Sequence, residues 1–228
     1  MNTPSRPRAT KIICTIGPAT DTSDMLGQLI EAGANVFRLN MSHSKHDWVR
    51  EVVFRIRRKA AELEANVAIL FDLQGPSIRT GDLAEPYHLK KGDTVEIRLG
   101  TAKPELPFST TVNYDGLLQD VQAGHTMVVD NGGILMRIAE VRPDRLICDV
   151  LTEGVFGSRR HINLPGVALR LPALTEKDLA DLAVAVECET DYVAMSFVRD
   201  AAHIAQLREH IDNLGGKAQI CLLYTSDA

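Results

Sequence analysis

Val36-Phe-Arg-Leu-Asn-Met-Ser-His43 begins as a strand and ends as something else. Residues 35–39 alternate their side chains across a sheet, with Arg38 a charge set among apolar neighbours. A buried guanidinium without a partner is strongly destabilising, so Arg38 requires an anion, from the protein or from a ligand. Asn40, Ser42 and His43 follow where a strand would hand over to a loop and helix. Val67-Ala-Ile-Leu-Phe-Asp-Leu73 ends in the same manner, with Asp72 followed by Gln74-Gly-Pro-Ser-Ile-Arg-Thr-Gly81. Two apolar strands tipped with polar groups point to a parallel β/α architecture with its site at the carboxyl ends of the strands.

The same rhythm extends on both sides. Lys11 to Gly17 reads as a strand broken by Pro18, and Asp21 to Glu31 as a helix capped by Thr22 or Ser23. A longer helix is expected from about Lys45 to Ala65, burying Val49, Val52, Val53, Ile56, Ala60 and Leu63. Its Arg55, Arg57, Arg58 and Lys59 lie mostly off that stripe, as a solvated face does. From Asp82 to Asn163 the pattern changes to short strands and turns. Tyr87 to Leu99 alternates at Val95, Ile97 and Leu99, Thr126 to Ile138 predicts a hairpin turning at Asn131-Gly132, and Arg145 to Val150 adds a strand. The first rhythm then returns. Thr175-Glu-Lys-Asp178 has the form of a capping box, opening a helix with Leu179, Leu182, Ala183 and Val186 inward. Asp191 to Phe197 is a strand, Ile204, Leu207, Ile211 and Leu214 mark a helix stopped by Gly215-Gly216, and Ala218 to Leu223 starts a further strand.

The 228 residues, 45% hydrophobic and 24% charged, have the composition of a folded globular chain rather than a disordered one. A net charge of -5 argues against nucleic acid as the main partner, while leaving room for a small anion at a local basic site. Cys14, Cys148, Cys188 and Cys221 show neither metal-type spacing nor a disulfide framework, which fits a reducing, cytoplasmic setting. No apolar run approaches the ~20 residues of a membrane helix. Residues 1–10, with Pro4 and Pro7 and no apolar core, are expected to be a disordered tail and not a signal peptide.

Taken together, several separated motifs resemble the pyruvate kinase family. They are Lys11-Ile-Ile-Cys-Thr-Ile-Gly-Pro18, Phe37 to His43, Phe71 to Gly81, Val129-Asp-Asn-Gly132, Ile162-Asn-Leu-Pro-Gly166, Leu174 to Asp178 and Ser196-Phe197, in the family's order over about residues 11–220. The resemblance implies an α/β fold: a partial TIM (β/α)8 barrel interrupted by a small all-β barrel lid domain. Residues 11–81 would be the first part of the barrel, 82–163 the lid, and 164–228 the second, truncated part. It implies phosphoryl transfer from phosphoenolpyruvate to ADP, giving pyruvate and ATP in glycolysis, by a parent enzyme that is a homotetramer using Mg2+ and, in many members, K+.

The resemblance also assigns residues. Arg38 matches the substrate-phosphate arginine, for which the alternative is a structural ion pair with Asp72. Asn40, Met41, Ser42, His43, Arg79 and Arg160 match nucleotide contacts; Arg160 stands where the family has lysine. Asn40, Ser42, Asp72 and the Leu73 carbonyl match a potassium site, all hard oxygen donors; without the resemblance, Asn40 and Ser42 would be read as helix caps. Asp130 in the lid hairpin would approach the site on closure, and Ser196 and Phe197 would flank the pocket. Ser77 occupies a position where potassium-dependent members carry glutamate and potassium-independent members lysine, and Leu73-Gln74 resembles the latter, so potassium dependence stays open.

The last residues depart from the family. A fifth strand should continue into the segment bearing the catalytic lysine and a magnesium-binding carboxylate. Instead Ile220 is followed by Cys221-Leu-Leu-Tyr-Thr-Ser-Asp-Ala228, with no lysine or glutamate after Lys217. The expectation is therefore an inactive fragment in which the catalytic residue and Mg2+ ligands are absent. Two other readings compete: a different phosphoenolpyruvate-using β/α barrel, against which the inserted β region and Asn163-Leu-Pro-Gly166 speak, and a non-catalytic anion- or nucleotide-binding module.

Overall fold

Five parallel strands carry the first of two units in the computed structural model, which describes residues 10–223. With elements numbered along the chain, this unit holds β1 (Ile13–Ile16), α1 (Ser23–Glu31), β2 (Val36–Asn40), α2 (His46–Glu62) and β3 (Ala68–Asp72). After the second unit it resumes with α4 (Glu176–Glu187), β13 (Tyr192–Met195), α5 (Ala201–Asn213) and β14 (Gln219–Leu222). The strand order β1-β2-β3-β13-β14 has no reversal. A doubly wound sheet would reverse at a switch point; successive neighbours in one direction are the winding of a β/α barrel. The helices follow suit, α1 packing on α2, α2 on α4 and α4 on α5. Phe37, Leu39, Ile69, Phe71, Val49, Val52, Ile56, Leu182 and Leu207 join one core between sheet and helices.

The second unit, Pro76–Pro172, is all β apart from one helical turn. It contains β4 (Ile78–Arg79), β5 (Tyr87–Leu89), β6 (Thr94–Arg98), β7 (Ser109–Thr111), α3 (Leu117–Asp120), β8 (Thr126–Val129), β9 (Ile134–Val141), β10 (Arg145–Val150), β11 (Gly154–Phe156) and β12 (His161–Asn163). Seven strands run β4-β12-β8-β9-β10-β6-β7, and β5 pairs separately with β11. An antiparallel bridge from Thr80 to Val112 joins the two ends of the long sheet, with Gly81 N–H donating to Thr111 O at 2.8 Å. The sheet thus closes into a barrel, leaving its terminal strands paired rather than exposed. Val95, Ile97, Met127, Val129, Met136, Ile138, Leu146 and Cys148 fill it.

Several sequence expectations need correction. The β unit begins at Pro76 rather than 82 and ends at Pro172 rather than 163, because β4 already pairs with β12 and Leu164, Val167, Leu169 and Leu171 pack on the barrel core. The stretch from Tyr87 to Leu99 is two strands, since Lys90 N–H donates to the Asp93 carboxylate and turns the chain between them. The hairpin turn is broader than Asn131-Gly132: Asp130, Asn131 and Gly132 all take positive φ between Val129 and Ile134. Leu63 and Leu214 end their helices at the surface. Most consequential is α4, which buries Asp178, Asp181, Leu182, Val184 and Ala185 and leaves Leu179 exposed. Of the expected tail only Thr10 is among the described residues, and of 221–228 only Cys221, Leu222 and Leu223. Among the described residues no helix is long and apolar enough to cross a membrane.

Candidate active site

Alternation along β2 decides what faces the site. Phe37 and Leu39 are fully buried in the core, so Arg38 and Asn40 take the opposite face of the sheet. Arg38 lies in register with Thr15 on β1 and Leu70 on β3, while Asn40 lies opposite Asp72. Asp72 is therefore the diagonal neighbour of Arg38, within reach of a long side chain. The guanidinium donates to the Asp72 carboxylate and, at 2.9 Å, to the Thr15 hydroxyl, stitching three strands together. Two of its five N–H donors are so engaged. Asp72 is only 5% exposed. Burial pushes its carboxyl above the ordinary value, and Arg38 and Ser196 pull it back only in part. Ser196 Oγ stands 3.5 Å from Asp72 Oδ1.

Beyond β2 the loop is built from its own polar groups. Asn40 Oδ1 accepts from Ser42 N–H at 3.0 Å, and Ser44 Oγ donates to the Asn40 carbonyl at 2.7 Å. Met41 N–H donates to the Asp72 carbonyl at 3.0 Å, and Leu73 N–H to the Ala194 carbonyl at 3.0 Å. Met41, expected at a nucleotide, instead sends its side chain wholly into the core. His43 is exposed and helps line a cavity of about 500 Å³ with Thr15, Pro18, Ser44, Lys45 and Trp48. The Trp48 indole is fixed by donating to Asp21 Oδ2 at 2.7 Å. Gly75, at φ +69°, approaches the neighbouring strand so closely that a Cβ would stand 3.1 Å from the Ser196 carbonyl and from the Phe197 ring. Phe197 itself has φ 60°, a strained value for an aromatic residue.

Arg79, Arg160 and Asp130, the remaining expected site residues, gather in the second unit. Arg79 on β4 lies in register with His161 on β12. Arg160 pairs with Asp130 at 3.2 Å, and Arg79 donates to the Arg159 carbonyl at 3.1 Å. Burial, then the charge of Arg79, holds the His161 imidazole below its ordinary pKa. Among the described residues the Nε of Arg160 and the hydroxyl of Ser77 are buried without a hydrogen-bond partner. The sequence expectations thus divide into two sets: Arg38, Asn40, Met41, Ser42, His43, Asp72, Leu73, Ser196 and Phe197 in the first unit, and Arg79, Asp130 and Arg160 in the second.

The capping box of Thr175 and Asp178 forms as expected; what sequence reasoning missed is the inward tie of Asp178 and the Lys177, Asp181 and His46 cluster. Asp178 completes the capping box with Thr175 and also accepts from Gly75 N–H at 3.0 Å, tying the helix to the turn after β3. Asp181 takes Lys177 and His46. Their signal was present, since Asp178, Asp181, Leu182 and Ala185 fall at i, i+3, i+4 and i+7, the spacing of a buried face.

As cation holders, Asn40, Ser42, Asp72 and Leu73 offer oxygen only, and Asp72 Oδ1 is lightly held, so the set fits a hard monovalent ion. No group of three or more His, Cys, Asp or Glu side chains able to hold a metal occurs among the described residues. These residues do not supply a carboxylate cluster for a divalent ion.

Residues 7–223 match a family model described as pyruvate kinase, barrel domain. Plastidial pyruvate kinase 2 of Arabidopsis thaliana is 38% identical over 220 residues, covering 95% of this chain and 38% of that protein. Pyruvate kinase isozyme G, chloroplastic, of Nicotiana tabacum is 38% identical over 208 residues, 90% of this chain and 36% of that protein. A pyruvate kinase of Staphylococcus aureus (strain USA300) is 36% identical over 208 residues, 90% of this chain and 35% of its own length. The chain thus spans well under half the length of these curated relatives.

Proposed function

The chain belongs to the pyruvate kinase family, and from that premise we propose that its first unit holds phosphoenolpyruvate at Arg38 and ADP along the Asn40–His43 loop. The observation that carries this reading is the Arg38–Asp72 pair, set at the carboxyl ends of parallel strands where ligands of such sheets gather. Arg38 presents a planar, permanently charged fork suited to a phosphate. Asp72 holds that fork in place while three N–H donors remain for a ligand. The cavity beside Trp48 offers apolar walls for a nucleotide base, with Lys45 at hand for its phosphates. A bound potassium ion would add positive charge beside the transferring phosphoryl group, and Asn40, Ser42, Asp72 and the Leu73 carbonyl would hold it. Arg79 and Arg160 are proposed as nucleotide contacts of the second unit, with Asp130 as its lid residue. Placement in the cytoplasm and a tetrameric parent belong to the same proposal.

A second reading, binding without turnover, is favoured by β14. Its Gln219-Ile-Cys-Leu222 offers neither lysine nor carboxylate to protonate an enolate or bind magnesium. One experiment addresses both. The single tryptophan, Trp48, lies in the cavity wall, so its fluorescence reports ligand titrations while a pyruvate assay reports turnover. Saturable quenching by ADP and phosphoenolpyruvate supports the site; added pyruvate formation supports the enzyme, and its lack the binding module. No saturable response to either ligand refutes both readings.

A further inference from the structure

We propose that Lys177, Asp181 and His46 form a latch that sets the conformation of the Asn40–Lys45 loop and thereby tunes its hold on a phosphate-bearing ligand; the second clause rests on the function proposed above. Asp181 sits on α4 with its side chain 0% exposed. A carboxylate so buried is costly unless its oxygens are paired, and both are. Lys177 Nζ lies 2.6 Å from Oδ2, and His46 Nε2 lies 2.7 Å from Oδ1. Lys177 Nζ also donates to the Met41 carbonyl at 2.7 Å. One ammonium thus ties α4 to the start of the loop, and one carboxylate ties α4 to His46, the first residue of α2.

An i,i+4 lysine–aspartate pair on a helix is ordinarily a weak surface contact. Two observations set this pair apart. Its ammonium reaches a backbone carbonyl of a different element, and the helix that leaves the loop lacks a local anchor. Thr22, Thr175 and Asp200 each cap their helices with a side chain, whereas the cap position of α2, Lys45, makes no such bond. His46 bound to Asp181 supplies from α4 the fixation that a cap would have given. Lys177 is a positioning residue here: it acts on a ligand only through the Met41 carbonyl and the loop that follows.

Hydrogen–deuterium exchange of the full chain tests the latch without any ligand. Lys177→Met keeps the aliphatic stem and removes the ammonium; Asp181→Asn keeps the shape and removes the charge. Both should speed exchange in peptides spanning 40–46 by about tenfold, the worth of one charge-assisted hydrogen bond, leaving β3 and β13 unchanged. Lys177→Arg should restore most of the protection. Unchanged loop exchange, or equal acceleration throughout the first unit, would overturn the latch as a local device. ADP titration followed by Trp48 fluorescence then tests its use. Lys177→Met should raise the dissociation constant about tenfold and Lys177→Arg recover it. Equal affinity of wild type and Lys177→Met would overturn the tuning role. A wild type that ignores ADP would defeat the functional reading, and with it the tuning clause, while the exchange data still decide the latch.

Discussion

The two units bury charge in opposite ways. The parallel sheet keeps its buried carboxylates beyond or at the strand ends: Asp72 closes β3, and Asp178 and Asp181 approach from α4. Each is met by a group from another element, namely Arg38, Gly75 N–H and His46, with Lys177 of α4 itself also on Asp181. The closed barrel instead puts charge in its wall. Glu96 on β6 is fully buried, accepts from Arg145 on the adjoining β10 at 2.8 Å, and takes the backbone N–H groups of Glu105 and Leu106. Arg145 in turn forks onto Asp144. Charge in the wall is satisfied entirely by protein and serves the fold. Charge at the strand ends, by contrast, leaves donors unspent, and unspent donors are what a ligand can use.

The sharpest way to break this comparison is to remove one cation from each unit. Arg145→Met takes from buried Glu96 its hydrogen-bonded cation at 2.8 Å and leaves Arg98 Nε, 3.9 Å away, in its place, a loss among the most destabilising for a single substitution. It should lower the urea midpoint more than any loss of a surface pair such as Arg137–Asp149. Arg38→Met should have the reverse signature. Phosphoenolpyruvate affinity should fall by about a hundredfold, two charge-assisted bonds' worth, with ADP affinity changed little by fluorescence titration. An Arg38→Met chain that binds phosphoenolpyruvate normally would make the strand-end pair as purely structural as the wall pair.

Acid should also distinguish the units, by sign. Burial opposes ionisation of Glu96, but Ser109, two backbone N–H groups and Arg145 outweigh it and hold the carboxyl below its ordinary value. Its contribution is present above about pH 4.3 and is lost as pH falls through the lowered value. Asp72 is raised by burial. Its folded form is therefore favoured below about pH 3.9, and that advantage is lost as pH rises through the raised value. Carboxyl carbon shifts followed by NMR should show Asp72 titrating above its ordinary midpoint and Glu96 below. Identical, unshifted midpoints would remove the electrostatic half of the contrast.

How much of this was legible beforehand differs between the units for physical reasons. Parallel strands buried on one face, each ended by a polar residue, announce themselves: Arg38, Asn40 and Asp72 were readable because a charge stands out in Val36-Phe-Arg-Leu and in Ile69-Leu-Phe-Asp. Barrel closure was expected from the family resemblance alone and not from the residues, because the Thr80–Val112 bridge depends on two residues with no local mark. Glu96 stands between the alternating Val95 and Ile97 and is buried all the same, because Arg145, far along the chain, and the backbone N–H groups of Glu105 and Leu106 satisfy its carboxylate. Of the basic run on α2 only Arg58 is exposed, Arg55, Arg57 and Lys59 being half-buried, and all four end in ion pairs. On α4, hydrophobicity alone misassigned the face by favouring Leu179 over Asp178.

That misassignment yields the smallest and most discriminating prediction. If α4 faces inward through its aspartates, Leu179→Gln should shift stability by no more than about 0.5 kcal/mol, as surface substitutions do. Thr175→Ala should cost about 1 kcal/mol by deleting the cap hydroxyl that accepts from Asp178 N–H. The expected ranking is therefore threonine above leucine, the reverse of what a hydrophobic face through Leu179 would give, where losing a buried leucine costs about 2–5 kcal/mol. Chemical denaturation of the two variants measures that order. Leucine as the costlier loss would rotate the helix, withdraw Asp181 from His46, and with it the contrast between charges that close a wall and charges that shape a site.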